Sequence, residues 1–467
     1  MLLSKSPNKS FYRAFGLVIA LLIIGILVLA LLVSTNGPRV RHVVVQSPKG
    51  GGVSSVNQAL TVVFDRPIES DDYESAVDIQ PEVDYAVSHR NQQLNITFDQ
   101  NLLSGTDYVL TLKPLLEDDL GEQMKSEYTY KFSTAEPSYT YLERNYDRGA
   151  VDKVIEREPL SQKSYVLLAK HRIKSFARND KYLAVVTARA DNADELSVVD
   201  IGSGEEKAVD VPPRVRINNL RFSPTDNQFA FVVSPLPATD TADEYSAPSG
   251  DKLYLYNADS DQMRPIVDLN EGSNITSLLY SRNGQALLYQ TLDNEYYLTG
   301  VTQTTEPTLL GRYGYTGGFD QTNTKLTFLS GSDAMIYDAQ AKEEQEVRNI
   351  RVGGRISTPI FLHNSDELLY LRNPIGESTL QIYTASADSD PEEQVVDTQP
   401  SAHFIAEPEV SDDDRYVLIE STFEPQGSDD YAGNSKPKDA RLVLYDRFED
   451  KVLDSGTTRG VDPVWDR

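Results

Sequence analysis

The chain has 467 residues, no cysteine, and 71 acidic against 44 basic residues, for a formal charge of −27. The missing cysteines exclude disulfides, thiolate metal sites and cysteine nucleophiles together. The acidic balance repels nucleic acid and anionic headgroups, so no nucleic-acid partner is expected, and the surplus favours cationic partners or simple solubility.

The first element is apolar. Ala14 to Val33 runs for twenty residues without a charge or a strongly polar side chain, preceded by Lys5, Lys9 and Arg13. At ~1.5 Å per helical residue the run covers a ~30 Å hydrocarbon core, which predicts one transmembrane α-helix over 14–33, in contact with the lipid bilayer. The cations before it place residues 1–13 in the cytoplasm as a short stub and the remainder outside, against the pull of Arg39, Arg41 and Lys49. A cleaved signal peptide is the competing reading; its apolar core runs ~7 to 15 residues and ends at a small-residue site, whereas this run is longer.

Residues 38–136 alternate apolar and polar positions in short segments separated by turn residues: Val40 to Val45, Ala59 to Phe64, Leu94 to Phe98, Tyr108 to Leu112 and Tyr128 to Phe132. About seven short strands in about 100 residues predict a β-sandwich. The unit resembles the bacterial Ig-like domain of the SbsA type through Val62 to Ile68 (VVFDRPI), Ile79 to Pro81, Leu103 to Leu112 (LSGTDYVLTL), Leu116 to Gly121 (LEDDLG) and Tyr130 to Thr134. These read as fold residues: Gly105 permits a sharp turn, Tyr108 caps the sandwich corner, and Asp118 with Gly121 closes a turn. The resemblance implies a spacer or adhesive module at a cell surface.

From 138 to 467 a turn recurs between strands, beginning at Phe176 (FARNDKY), Phe222 (FSPTDNQ), Tyr280 (YSRNGQ), Phe319 (FDQTNTK), Phe361 (FLHNSDE) and Val410 (VSDDDRY), at spacings of 46, 58, 39, 42 and 49 residues. Third strands follow in each repeat, such as Leu196 to Asp200, Leu253 to Asn257 and Leu442 to Asp446. Such a period, with four short strands per repeat, predicts a β-propeller. The repeat resembles the TolB-like group, although only Phe222 to Asn227 comes close to its consensus turn. Six blades fit between Arg172 and Ser455, and the leftovers complete a seventh. Val461 to Arg467 supplies an inner strand, and Tyr139 to Arg144, Asp152 to Arg157 and Ser164 to Lys170 supply the rest. Seven blades closed by the C-terminal strand 461–467 are expected, with six as the fallback.

Two connections between second and third strands are long, Ser234 to Gly250 and Ser421 to Ala440. Long polar loops on a rigid scaffold are frequent binding elements, so Glu244, Tyr245, Asp429, Asp430 and Tyr431 are the candidate binding rim. Asn257, Asp259 and Asp261 have calcium-loop spacing but lack the following glycine and the distal glutamate, and Asp412 to Asp414 sit in a turn, so no metal is expected. The five histidines form no zinc pair, and no nucleophile-elbow or phosphate-loop motif occurs, so no catalytic residue and no cofactor are assigned. Propellers of this type also precede the hydrolase domain of prolyl oligopeptidase-like enzymes, but no such segment follows Arg467.

The expectation is therefore an all-β ectodomain, Ig-like β-sandwich plus β-propeller, behind one transmembrane helix in a single-pass cell-envelope protein. It is read as a non-enzymatic binding or scaffolding platform for a protein, peptide or glycan. The alternative is an envelope enzyme acting on glycans through channel carboxylates, chiefly Asp320, Glu407, Glu409 and Asp462.

Overall fold

The computed structural model describes residues 9–34, 37–45, 59–70, 72–145, 150–236, 250–270, 272–302, 306–331, 333–347, 355–373, 379–385, 392–397, 404–405, 408–422 and 439–466. It divides into two units, Met1–Glu136 and Pro137–Arg467.

The apolar N-terminal run forms a helix, Lys9–Ser34. Its described side chains, including Phe15, Leu17, Leu21, Leu22 and Ile26, are all exposed. Among the described residues no helix is long and apolar enough to cross a membrane. The helix expected at 14–33 is present with its described side chains exposed, and its crossing of a membrane is not supported by the described residues.

The rest of the first unit is built on period-two burial. Ala59–Phe64 buries Leu60, Val62 and Phe64, and Gln93–Phe98 buries Leu94, Ile96 and Phe98. Alternation of this kind leaves one sheet face for the core. One sheet runs in the order Val40–Val45, Ala59–Phe64, Gln93–Phe98, Tyr85–Arg90, and a second in the order Val77–Gln80, Asp107–Leu112, Tyr128–Ser133. The Tyr108 hydroxyl accepts the Leu103 N–H at 3.0 Å, fixing the corner. Asp118 is buried and accepts the N–H groups of Leu120 and Glu122, each at 3.0 Å, and the Arg66 guanidinium at 2.8 Å. Burial opposes its charge, but the Glu122 N–H and Arg66 prevail and hold the carboxyl below its ordinary value.

The second unit consists, among the described residues, of seven antiparallel sheets joined in a ring. Blade 1 comprises Val461–Trp465, Tyr139–Glu143, Asp152–Glu158 and Lys163–Lys170, from the inside outward. Blade 2 runs Ile173–Arg178, Tyr182–Ala188, Asp194–Asp200 and Glu206–Ala208; blade 3 runs Val215–Phe222, Gln228–Pro235, Lys252–Asn257 and Gln262–Asp268. Blades 4 and 5 begin with Ile275–Tyr280 and Tyr315–Phe319. Blades 6 and 7 have inner strands broken into pairs, Arg355–Ile356 with Ile360–Phe361 and Phe404–Ile405 with Glu409–Val410.

The last strand closes the ring. Val461–Trp465 pairs antiparallel with Tyr139–Glu143, setting Trp465 opposite Tyr139. The indole packs edge-on against Tyr139, with ring centroids 5.7 Å apart, lies 6.0 Å from Tyr416 of blade 7, and donates from Nε1 to Glu409 O at 3.1 Å. Apolar side chains fill the wedges between blades; Val186, Leu196 and Val198 of blade 2 meet Ile217, Phe229 and Phe231 of blade 3.

A polar staple repeats between the first four blades. Asp152, Asp194 and Asp251, each buried at the start of a third strand, accept the inner-strand N–H of Ile173, Ile217 and Ile275 in the following blade, all at 2.8 Å. A buried backbone N–H left without an acceptor costs about 1–3 kcal/mol. Asp251→Ala is therefore expected to lower the unfolding free energy by that amount in a urea titration, and Asp251→Asn, which keeps an acceptor oxygen, by less. Gly250 precedes the staple because a Cβ there would stand 2.0 Å from Asn270 O.

Candidate functional site

The ring has two unlike faces. On one lie the connections between second and third strands, and there the longest loops leave the scaffold, after Pro235 in blade 3 and after Thr422 in blade 7. The five rim residues expected from the sequence, Glu244, Tyr245, Asp429, Asp430 and Tyr431, all lie outside the described residues. What the structure describes is the root of each loop. In blade 3, Leu236 N–H bonds Arg214 O at 2.9 Å and Asp251 N–H bonds Ser273 O at 2.9 Å, so both ends are tied to the connections entering and leaving the blade.

On the other face the first-to-second strand turns are linked blade to blade around the whole ring. Arg178 of blade 2 reaches Asp466 and Glu156 of blade 1 at 2.9 and 2.7 Å. Asn179 donates to Asn227 Oδ1 in blade 3 at 2.9 Å, Thr225 to Asn283 O in blade 4 at 3.5 Å, and Asn283 N–H to Asn323 Oδ1 in blade 5 at 3.2 Å. Gln321 donates to His363 O of blade 6. Asp414 of blade 7 accepts the N–H groups of His363 and Asn364 at 2.6 and 2.7 Å, and Trp465 completes the circuit. Arg282 adds a longer tie. Its guanidinium, rooted in blade 4, donates to Phe319 O in blade 5 at 2.8 Å and to Phe361 O and Leu362 O in blade 6 at 2.7 and 3.1 Å.

This belt holds the most perturbed carboxyls of the ring. Burial pushes Asp414 up to about 6, against the His363 and Asn364 N–H groups. Burial, opposed by the Arg178 charge and aided by Glu156, pushes Asp466 up to about 6 as well. Asp180, which keeps solvent contact at its side chain, is raised by the protein crowded around it, with the Asp412 charge contributing. Asn and Asp recur at matching places in the aligned turns, a signal that marks these positions in the sequence, where they were read only as turn formers.

The candidate calcium residues have protein partners. Asp259 is held by Lys181, Tyr182 and Asn227 at 2.7, 2.9 and 2.8 Å, Asp261 accepts the Tyr256 hydroxyl at 2.5 Å, and Asn257 accepts Ser260 N–H at 2.9 Å. Three of the four channel acids, Asp320, Glu409 and Asp462, are among the described residues. Asp320 caps its own turn by accepting Thr324 and Lys325 N–H groups at 2.8 Å, Glu409 is exposed, Glu420 accepts the Asp462 N–H at 2.8 Å, and Glu407 lies outside the described residues. A cavity of about 540 Å³ lies beside blade 2, lined by Lys170, Arg189, Asp191, Asp194, Glu206 and Arg214 among others.

Residues 35–134 match the family described as bacterial Ig-like domain. No curated protein sequence matches the chain significantly. Among solved structures, the chain is similar to a prolyl endopeptidase with a TM-score of 0.51 at 13% identity, over 68% of this chain and 48% of that one. It is similar also to TolB from Acinetobacter baumannii (TM-score 0.40, 12% identity, 70% and 82% of the two chains) and to dipeptidyl peptidase 4 of Porphyromonas gingivalis (0.43, 12%, 85% and 62%). Only the first likeness is strong enough to argue from, and it speaks of fold; the chain spans about half the length of that enzyme. It overturns one expectation drawn from the sequence, that of a chain without enzyme activity. The same propeller fold occurs in a prolyl endopeptidase, so enzyme activity is compatible with this architecture.

Proposed function

We propose that the chain is an extracytoplasmic binding or scaffolding protein of a bacterial cell envelope, anchored in the membrane by its apolar N-terminal helix. Its propeller offers the long-loop face to a protein, peptide or glycan, with Glu244, Tyr245, Asp429, Asp430 and Tyr431 at the rim. The carrying observation is the asymmetry of the ring: one face is tied turn to turn through all seven blade junctions, while the other carries the longest connections, the blade 3 loop leaving beside a stapled strand. Rigid scaffolds with long polar loops on one side are suited to recognition, because ordering costs then fall on the loops alone. The uncharged run from Ala14 to Val33 supports the anchor, and the Ig-like match supports a surface module.

A photo-crosslinking residue placed in living cells at 245 or 431 is expected to give defined adducts, at yields about tenfold above those from position 283 on the belt face, where Asn283 is exposed. Equal yields from the two faces would remove the assignment of the binding face.

A further inference from the structure

In each blade the outer strand leaves one edge unpaired within its sheet, and such an edge is a ready template for another strand. Several outer strands here are blunted. That of blade 2, Glu206–Ala208, is three residues long, and that of blade 3, Gln262–Asp268, contains Pro265. Those of blades 5 and 6, Glu343–Glu346 and Glu392–Asp397, read EEQE and EEQVVD. Short length, proline and like charge each oppose pairing along an edge.

Blade 1 differs. Its outer strand, Lys163–Lys170, is eight residues long and reads KSYVLLAK. Pairing with Asp152–Glu158 shifts register between Val166 and Leu168, so Leu167 is an extra residue, and both Leu167 and Leu168 pack on the core. The shift leaves Lys163–Val166 as a regular run that is exposed at every position. Neighbours on a strand point to opposite faces, yet Tyr165 and Val166 are 45% and 57% exposed, so the run stands clear on both sides. Eight large apolar side chains are exposed among the described residues of the propeller, and four of them, Val151, Leu160, Tyr165 and Val166, belong to the outer part of this blade. Single exposed apolar residues are ordinary, but their concentration along one open edge marks an interaction surface.

Charge selects the occupant. At a formal charge of −27, contact between two copies is opposed over most of the surface, and two edges of the blade 5 type would set carboxylate against carboxylate. Within Lys163–Val166 the one charge is that of Lys163, balanced by Glu158 at 3.4 Å. An antiparallel pair centred on this run sets Lys163 opposite Val166 and Ser164 opposite Tyr165 of the second copy. No like charges then meet, and a two-fold axis lets one edge supply both halves of the contact. A foreign cationic strand gains nothing comparable, because the acid surplus that would steer it is missing from this edge.

We propose that the Lys163–Val166 edge pairs with the same edge of a second copy of the chain, joining two propellers side by side through one antiparallel sheet. The surface is the rim of the disc, so the inference stands apart from the assignment of the long-loop face. Four residues of strand pairing fall short of the about 1,200–2,000 Å² that a stable interface buries, so the association is weak and reversible.

A photo-crosslinking residue at position 164 of the full-length chain, irradiated in living cells and after purification, tests the pairing. An adduct of doubled mass is expected, at a yield about tenfold above that from position 345 on the blade 5 edge, where Gln345 is exposed. Val166→Lys and, independently, Tyr165→Glu are expected to lower the yield at 164 to the level seen at 345. Both should leave the thermal midpoint little changed, because both side chains are exposed. Equal yields at the two edges, a yield at 164 unaffected by both substitutions, or adducts at 164 only with another protein would each overturn the proposal.

Discussion

A chain ending at Gly460 is expected to lose the cooperative unfolding transition of its propeller. The segment it lacks is the inner strand of blade 1 and the one strand that joins the end of the ring to its beginning, through the pairing of Val461–Trp465 with Tyr139–Glu143. Val461 and Trp465 are both buried, and the indole bridges blades 1 and 7 by packing on Tyr139 and Tyr416. Removing a buried tryptophan side chain alone costs about 3–5 kcal/mol, against a typical total stability of about 5–15 kcal/mol. Loss of the strand adds unpaired ladder groups on Tyr139–Glu143 and an open sheet edge. Trp465 is also the single tryptophan of the chain, so its fluorescence reports closure directly. In the intact protein the fluorescence and far-ultraviolet circular dichroism transitions in urea should coincide, and Trp465→Ala, followed by circular dichroism, should lower the unfolding free energy by about 3–5 kcal/mol. A truncated chain with an unchanged urea midpoint would show that closure contributes little to stability.

The second large effect is a gain in thermal stability on mild acidification. Asp414 and Asp466 both stand at about 6 in the folded protein, raised from 3.8. Between those values the folded state holds protons that the unfolded chain releases, so each carboxyl adds stability that is complete below about pH 4 and is lost as pH rises through 6. At about 1.4 kcal/mol per unit, each group contributes on the order of 3 kcal/mol between neutral pH and pH 4. Carboxyls held low, such as Asp118 and Glu206, have the opposite sign and act only in stronger acid. The thermal midpoint is therefore expected to rise from pH 7.5 to about pH 5 and to fall below pH 4. Asp414→Asn, which cannot ionise but keeps an acceptor for only one of the His363 and Asn364 N–H groups, should flatten the pH dependence of the midpoint. A midpoint that falls steadily from pH 7.5 to 5 would contradict the assignment.

Much of the architecture was legible along the chain because strand burial has a period of two and blades a period of tens of residues. Both are local patterns. The alternation in Ala59 to Phe64 and Leu94 to Phe98 identified strands that bury every second residue, and the recurring turn from Phe176 to Val410 marked the successive inner-strand ends. Trp465, stranded after the last full repeat, pointed to Tyr139. Tyr108, Gly105 and Gly121 were readable for the same reason: Tyr108 bonds a backbone N–H five residues away, and the two glycines adopt φ values of 65° and 77° in their turns.

The polar chemistry was not legible in this way. Asp412, Asp413 and Asp414 are adjacent and alike in sequence, yet Asp414 alone accepts the two N–H groups of blade 6. Nothing in the spacing marks Lys174, which is fully buried, or Asp194, which staples blade 2 to blade 3. Absent catalytic motifs misled in a further respect, since a fold shared with a peptidase leaves enzyme activity open. What the amino-acid order determined by itself was the strands, their repeat and the charge surplus, because each depends on neighbours within one hairpin. Tertiary structure decided which carboxylates are spent on capping, which are raised by burial, and which cation is buried against a carboxylate. Those outcomes depend on desolvation and on partners tens to hundreds of residues away, which no spacing rule within a repeat contains.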